Sequence, residues 1–318
     1  MLKKVNIRLE SNHPHETIVI REKTINTNGG ISMKKGKIGV QMMMLKGKVE
    51  ELGAYETMRQ VSELGYHAVE ISQIPMTPEN VAELKRASED FDIKIAALSA
   101  AVEPMLPGMP GETLTSDFEK IVGDCKTLDC NYLRIGMMPL MAMGNIDKIM
   151  EFISKAEEMA HRLAEHGVEL YYHTHHLEFQ KFDGEYLLDI IKNNTTKLGF
   201  ELDVHWIQRA GVNPVEFVKG YTGRISLLHL KDYRIGQMDL SDIDFKDMAK
   251  FFDIFTNTIE FAELGEGNLD IKSIIEAGLE SGAQYFLVEQ DDTYSRDPFE
   301  CLEISANHLR KLGFGEWF

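Results

Sequence analysis

Cysteine is scarce in this chain of 318 residues. Its three cysteines, Cys125, Cys130 and Cys301, form no Cys-x-x-Cys pair. An odd number without that spacing argues against a disulfide framework and against a structural zinc knuckle. We therefore predict three thiols that serve as small buried hydrophobic side chains. No apolar run approaches the ~18 residues that cross a bilayer, and the N-terminus lacks the apolar core of a secretion signal. These absences predict a cytoplasmic protein without membrane contact.

Positive charge is also in short supply. The sequence has 34 Lys and Arg residues against 51 Asp and Glu residues, which gives a net charge of −17. Because such a chain repels phosphate backbones, nucleic acid is not an expected partner. No Gly-x-Gly-x-x-Gly turn follows the first apolar strand, which removes the main support for a dinucleotide-binding sheet.

Residues 1–32 differ from the rest of the chain, because they are polar and show no sustained hydrophobic period. A second methionine, Met33, opens the segment MKKGKIGVQ, which is typical of a natural start. Two interpretations are open. Residues 1–32 are either a leader that is not part of the native protein or a genuine N-terminal arm, and residues 33–318 form a single domain in both cases.

From residue 37 onward, short apolar runs alternate with amphipathic segments of helical period, which is typical of βα units around a parallel sheet. The eight predicted strands are residues 37–45, 67–74, 94–100, 131–138, 168–175, 198–206, 225–232 and 284–291. Capping residues predict helix starts at Thr77, Ser116 with Glu119, Asn213 and Asp297. Eight units favour a (β/α)₈ TIM barrel over a doubly wound open sheet. Residues 233–265 are long enough to form a lid over one mouth of the barrel.

Polar and ionisable side chains stand near the ends of the predicted strands, where the active sites of barrel enzymes lie. They are Gln41, Glu70, Arg134, His173, His175, Asp203, His229, Lys231 and Glu289. The fifth to eighth strands end in His, Asp, His and Glu, which are donors suited to a divalent ion. We expect one such ion, with Mn²⁺ ahead of Zn²⁺, Co²⁺ and Mg²⁺.

The segment YYHTHHLEF, residues 171–179, concentrates three histidines in one stretch. Strand alternation predicts that His173 and His175 share the face that points into the barrel, with His176 on the other side. His173 is then placed to bind the ion, and His175 to meet the substrate. Glu178 either orients an imidazole or takes a ligand position itself.

The same alternation applies to the sixth predicted strand. It pairs Asp203 with His205 on one face and places Trp206 on the other. Trp206 then either packs in the core or stacks against a sugar.

Five segments together resemble the sugar phosphate isomerase/epimerase family, whose fold is the xylose-isomerase-like TIM barrel. They are YHTHHLEF, ELDVHWIQRAG, LLHLKD, GEGNLD and VEQDDTYSRDPFECLEIS. The resemblance runs from about Lys37 to the C-terminus. It implies one divalent ion bound by His173, Asp203, His229 and Glu289, and catalytic roles for His175, Glu289 and Lys231. The substrate-binding residues expected with them are Gln41, Glu70, Arg134, Trp206 and Glu266.

One departure from the family bears on the reaction. Many family epimerases carry glutamate where His173 stands, so a symmetric pair of carboxylate bases is not expected here. That leaves room for an elimination in which His175 or Glu289 is the only base. Dehydroshikimate dehydratases of the family resemble this sequence at two positions, the lysine matched by Lys231 and the arginine matched by Arg134. The segments GVQMMML and LPGMPGETL resemble catalytic subunits of bacterial enzymes that cleave C-glycosides after oxidation of the sugar to a 3-keto form.

Three functions are therefore open as hypotheses. The first is a metal-dependent isomerase or epimerase that removes a proton next to the carbonyl of a sugar through an enediolate. The second is a lyase that performs metal-assisted β-elimination on a 3-keto-glycoside, or a dehydratase. The third is a barrel that binds sugar without catalysis, as a scaffold. In each case we expect a small carbohydrate as ligand, in a homo-oligomer or in a hetero-oligomer with a second subunit.

Overall fold

The computed structural model describes residues 3–7, 21–25, 35–238 and 247–318. The chain divides into two compact units, residues 1–35 and 36–318. In the first unit, strands β1 (Lys3–Ile7) and β2 (Arg21–Ile25) pair antiparallel. The rest of the predicted leader or arm lies outside the described residues, and its origin stays a prediction.

The second unit contains eight parallel strands that close into a barrel. The strands are β3 (Lys37–Gln41), β4 (Ala68–Ile71), β5 (Lys94–Ser99), β6 (Tyr132–Ile135), β7 (Glu169–His173), β10 (Gly199–Asp203), β11 (Ile225–Leu230) and β14 (Tyr285–Val288). They follow one another around the barrel in chain order, and β14 pairs with β3 to close it. The predicted (β/α)₈ barrel is confirmed, and each predicted strand contains one of the eight. Between β7 and β10, Lys181–Phe182 (β8) and Glu185–Tyr186 (β9) form a small hairpin.

Helices surround the barrel. They are α1 (Lys46–Leu52), α2 (Ala54–Glu63), α3 (Pro78–Asp90), α4 (Phe118–Thr127), α5 (Ile146–Glu165), α6 (Leu187–Asn193), α7 (Val204–Arg209), α8 (Pro214–Lys219), α9 (Met248–Thr256), α10 (Ile271–Ser281) and α11 (Pro298–Leu309). In α5, buried apolar residues recur from Ile149 to Leu163 with the helical period. Burying each large apolar side chain stabilises the fold by about 1.5–3 kcal/mol, so this stripe holds α5 against the strands.

Three of the four predicted helix caps are confirmed. Thr77, Asn213 and Asp297 accept hydrogen bonds from backbone N–H groups at the starts of α3, α8 and α11. The predicted start at Ser116 is wrong, because α4 begins at Phe118 after Asp117. The Ser116 hydroxyl lies 2.7 Å from the Thr113 hydroxyl, and the Ser116 side chain belongs to the turn before the helix.

The segment predicted as a lid, residues 233–265, covers strand β12 (Asp232–Ile235) except for its first residue and all of β13 (Ile259–Ala262); the two strands pair antiparallel, with α9 between them. Residues 239–246 of this segment lie outside the described residues. On α9 the side chains of Met248, Phe252 and Phe255 are exposed. Closure over the mouth stays a prediction.

All three cysteines are buried and free, as expected for small hydrophobic side chains. Within the described ranges, the structure contains no helix of the length and apolar character that a membrane crossing requires.

Candidate metal centre and cavity

Four donor side chains from consecutive strands meet at the carboxyl mouth of the barrel. They are His173 at the end of β7, Asp203 at the end of β10, His229 within β11 and Glu289 directly after β14. Each offers one ligand atom, and these atoms lie within 4.8 Å of one another. All four residues are buried. Parallel pairing produces this convergence, because Asp203 lies opposite His229 in the register of β10 and β11. Two imidazoles and two carboxylates are a donor set that fits a divalent transition-metal ion.

Asp203 divides its two oxygens between the fold and this cluster. Oδ1 accepts hydrogen bonds from the backbone N–H groups of His205 at 2.9 Å and Trp206 at 3.2 Å, which caps α7. Oδ2 is buried without a hydrogen bond among the described residues, 3.0 Å from Lys231 Nζ and 4.0 Å from His229 Nδ1. Burial raises the pKa of Asp203 to about 6. A buried oxygen that faces other donors in this way fits a bound cation.

Gln41 holds Glu289 in place. Its Nε2 donates to Glu289 Oε1 at 2.9 Å, and its own Oε1 accepts from the backbone N–H of Met43. The other oxygen of Glu289, Oε2, lies 2.6 Å from His229 Nδ1. Gln41 therefore orients one of the carboxylates of the cluster.

A second layer of charge lies against the imidazoles. Arg134 Nε is 2.7 Å from Glu70 Oε1 and 3.5 Å from Glu201 Oε2. Glu201 was not among the residues predicted from the sequence, although it alternates with Asp203 in ELDVHW and so faces the barrel interior. Burial, together with the nearby charge of Glu70, raises the pKa of Glu201 to about 8.

Lys231 lies among three carboxylates. Its Nζ is 3.0 Å from Asp203, 3.0 Å from Glu289 and 2.8 Å from Asp291. Burial disfavours the charged amine, but the carboxylates outweigh it and raise the pKa of Lys231, so the side chain stays protonated. Asp291 was also missed, and its alternation with Glu289 in VEQD is the signal that could have revealed it.

His175 lines the cavity, but it does not belong to the strand. β7 ends at His173, and His175 precedes a 3₁₀ turn over His176–Phe179. Its ring centroid is 4.7 Å from that of His173. Burial, followed by the charge of Lys231, lowers the pKa of His175 to about 3, so the imidazole is neutral.

Glu178 serves the local fold. Its oxygens accept from the Tyr172 hydroxyl at 2.7 Å and from the backbone N–H of His175 at 2.8 Å. Among the described residues, Glu178 belongs to neither group of donors that could hold an ion. Of the two roles expected for it, the geometry therefore favours support of the segment that carries His175.

The predicted pairing of His205 with Asp203 on one strand face is wrong. The strand ends at Asp203, because the carboxylate of that residue caps α7 and starts a helix. His205 is buried, with its ring 5.0 Å from that of Phe261 and 5.4 Å from that of Tyr233. Trp206 lies beside the site, where Lys231 Nζ is 5.2 Å from its ring centroid.

A cavity of about 750 Å³ opens above the donors. Its lining includes the polar and charged side chains of Arg134, His173, His175, Lys231, Glu289 and Asp291. It also includes four methionines, Met43, Met44, Met105 and Met137. Of the predicted substrate-binding residues, Arg134 lines the cavity, whereas Gln41, Glu70, Trp206 and Glu266 are not among the described residues that do so. Glu266 instead pairs with Arg234 at 3.3 Å and Arg296 at 3.1 Å.

Several solved structures share this fold. A sugar phosphate isomerase/epimerase from Parabacteroides distasonis is 20% identical over 88% of this chain and 99% of its own, with a TM-score of 0.68. An L-ribulose 3-epimerase is 14% identical over 89% of this chain and 95% of its own, with a TM-score of 0.62. The probable 3-DHS dehydratase AsbF from Bacillus anthracis is 13% identical over 86% of this chain and 98% of its own, with a TM-score of 0.63.

No curated protein matches the chain. The family model described as "Xylose isomerase-like TIM barrel" matches residues 58–312, which is more than half of the sequence. The closed barrel and this match agree, and the chain belongs to the xylose isomerase-like TIM-barrel family.

Proposed function

We propose that this protein is a metal-dependent sugar isomerase or epimerase, with one divalent ion, Mn²⁺ foremost, bound by His173, Asp203, His229 and Glu289. The observation that carries the proposal is the convergence of four buried donor atoms within 4.8 Å, next to a cavity lined by cationic side chains and a neutral imidazole. The names of the structural neighbours agree with this class of reaction.

The chemical problem is a weakly acidic proton on a carbon next to a carbonyl group. Its removal leaves an enediolate with negative charge on oxygen. A bound divalent ion supplies Lewis-acid stabilisation of that charge, which contributes several kcal/mol. Lys231 and Arg134 are cationic, line the cavity and add to this stabilisation.

His175 is the proposed general base. Because its imidazole is neutral and lines the cavity, it accepts the proton from carbon and, in isomerisation, returns it to the neighbouring carbon. Epimerisation needs a second group that delivers a proton to the opposite face of the same carbon. Glu289 is the second candidate base, although its carboxylate also belongs to the donor cluster. Glu178 and the 3₁₀ turn hold His175 at the cavity.

Deuterium exchange tests this proposal. The metal-loaded protein is incubated with ketopentoses and ketohexoses in deuterated buffer, and NMR follows the C–H signals next to the carbonyl. We expect exchange together with isomerisation, which His175→Gln abolishes. His176→Gln is the matched control, because His176 is exposed and lies outside the cavity lining, so it should retain exchange. A metal-loaded protein that exchanges no deuterium into these sugars contradicts the isomerase assignment.

A second candidate function is favoured by the cavity itself. A volume of about 750 Å³ lies in the range that holds drug-sized ligands, and the lining includes four methionines besides the polar groups. Flexible thioethers pack well against flat aromatic groups. The cavity therefore suits a sugar that carries an apolar substituent.

The corresponding reaction is β-elimination on a 3-keto-glycoside. His175 takes the proton from C2, the electron pair forms the C1–C2 double bond, and the aglycone leaves C1 with the bonding electrons and is then protonated. An aryl 3-keto-glucoside with a chromogenic aglycone tests it. Release of the aglycone by the wild type, and its loss in His175→Gln, supports elimination. Metal binding without either reaction supports the third hypothesis, a barrel that binds sugar.

A further inference from the structure

We propose that Glu201 is a positioning residue that orients both imidazoles of the metal site, His173 and His229. The proposal rests on the metal site advanced above. It concerns a residue outside the predicted ligand set, in the layer beneath it.

The carboxylate of Glu201 lies between the two rings. Oε2 is 3.1 Å from His173 Nδ1, and Oε1 is 3.2 Å from His229 Nε2. The ring centroids of the two histidines are 4.5 Å apart. This arrangement follows from the register, because Glu201 lies directly opposite His173 in the pairing of β10 with β7. One carboxylate therefore faces one nitrogen of each histidine.

On each histidine, the ring nitrogen that faces away from Glu201 is the one available to bind an ion. On His229, Nδ1 is turned toward the donor cluster, 2.6 Å from Glu289 Oε2 and 4.0 Å from Asp203 Oδ2. Nε2 is then the nitrogen that keeps its proton, and it faces two carboxylates: Glu201 Oε1 at 3.2 Å and Glu70 Oε2 at 3.3 Å, the second with hydrogen-bond geometry. On His173, Nδ1 faces Glu201, which leaves Nε2 with its lone pair available. A metal-binding imidazole commonly donates its other N–H to a carboxylate, which fixes the ring and raises its basicity.

The burial of Glu201 supports this role. Both of its oxygens are buried and make no hydrogen bond of regular geometry among the described residues. A buried carboxylate is costly unless neighbouring groups compensate its charge. Arg134, whose Nε lies 3.5 Å away, offsets part of that cost, and a divalent ion bound to the two histidines would supply the rest.

A second metal ion is a competing use of the same residues. Glu70, Glu201 and His229 also offer three donor atoms within 4.8 Å of one another. However, Arg134 Nε lies 2.7 Å from Glu70 Oε1, so a fixed cation already occupies this side. A further cation would face the guanidinium at short range, and we expect one ion for each chain.

Metal affinity tests the proposal directly. Glu201→Gln keeps the shape of the side chain, but its amide can accept from only one imidazole. We expect it to weaken Mn²⁺ and Co²⁺ binding by about 10–100-fold in a competition titration against a fluorescent chelator. The visible absorption spectrum of bound Co²⁺ should also change, because the orientation of the imidazoles sets the ligand field. Glu70 approaches only one of the two imidazoles, that of His229, so Glu70→Gln should weaken binding less.

Glu263→Gln is the matched control. Glu263 is also a buried carboxylate, paired with Arg296 at 2.7 Å, but it belongs to neither donor group. The Glu263→Gln protein should bind metal with an affinity within about twofold of the wild-type value, as expected for independent sites. If Glu201→Gln does not fold, Glu201→Asp is the alternative variant. Its side chain is one methylene shorter, so the carboxylate lies farther from both imidazoles, and this variant should also bind metal more weakly and show an altered Co²⁺ spectrum.

The outcomes separate this inference from the proposed function. A wild-type protein that binds one ion, with unchanged affinity and spectrum in the Glu201 variants, overturns the positioning role alone. If the wild-type protein binds two ions per chain, the positioning role is overturned and Glu201 is instead a ligand of a second metal site. A wild-type protein that binds no divalent ion overturns both proposals.

Discussion

The two oxygens of Asp203 perform separate tasks, and two substitutions separate them. Asp203→Asn keeps an oxygen that can accept from the N–H groups of His205 and Trp206, whereas Asp203→Ala removes it. Both remove the charged oxygen that faces Lys231 and His229. We therefore expect both variants to lose metal binding, and the alanine variant alone to lose the cap of α7 as well.

The magnitudes can be worked out from the contacts. Replacing an N-cap residue by alanine costs about 1 kcal/mol. For a domain of this size, that corresponds to a melting temperature about 2–4 °C below that of Asp203→Asn. Residues that only orient metal ligands typically contribute about 10–100-fold to affinity, and loss of a direct ligand should weaken binding by more than this. Thermal melts in the presence of a chelator measure the stability that the cap contributes, and competition titrations measure the affinity for the metal ion.

Asn213→Ala is the matched control for the cap. Asn213 Oδ1 accepts from the N–H groups of Val215 at 2.9 Å and Glu216 at 3.3 Å at the start of α8. The melting temperature of this variant should fall by an amount similar to the loss attributed to the cap in Asp203→Ala. Its affinity for metal should equal that of the wild type. Equal melting temperatures for the two Asp203 variants would refute the capping argument. Stoichiometric metal in Asp203→Asn would refute the ligand assignment.

Three further predictions concern other parts of the molecule. Gly267→Ala should lower the melting temperature, because an added Cβ would lie 2.2 Å from the Asp232 carboxyl carbon and 2.6 Å from the Tyr233 carbonyl oxygen; an unchanged melt would argue against this packing. The low pKa of His175, about 3, keeps the base deprotonated, so kcat/KM should show no decline from this group between about pH 8 and 5; an NMR titration in which the His175 imidazole protonates near the ordinary histidine pKa of about 6.5 would contradict this. Met137→Gln should raise KM for aryl 3-keto-glycosides more than for free keto sugars, and equal effects on both substrates in steady-state assays would count against contact between the cavity methionines and the aglycone.

Much of the fold was predictable from local pattern. Apolar runs separated by helical periods predicted eight strands, and each contains an observed barrel strand. Three helix starts were predictable because a cap depends on residues only two or three positions apart. The four donors were predictable as a set, because the carboxyl ends of the strands of one barrel meet at one mouth.

Strand ends were less predictable, and His205 shows why. Alternation alone extends the sixth strand through His205 and Trp206. In the structure the side chain of Asp203 bonds to the next backbone N–H groups and turns the chain into α7. The backbone N–H groups after Asp203 could bond either to a neighbouring strand or to the Asp203 side chain. The geometry around Asp203 decides between them, and the pattern of residue types does not specify that geometry.

The sequence by itself determined the period of the elements and the chemical kinds of donors at the strand ends. The tertiary structure decided which side chains meet. Glu201 faces His173 because β10 pairs with β7 in one register, and Glu70 on β4 reaches Arg134 on β6, past the intervening strand β5. Such contacts join residues far apart in the chain. They depend on strand register and barrel closure, which set distances of a few ångströms that no local pattern specifies.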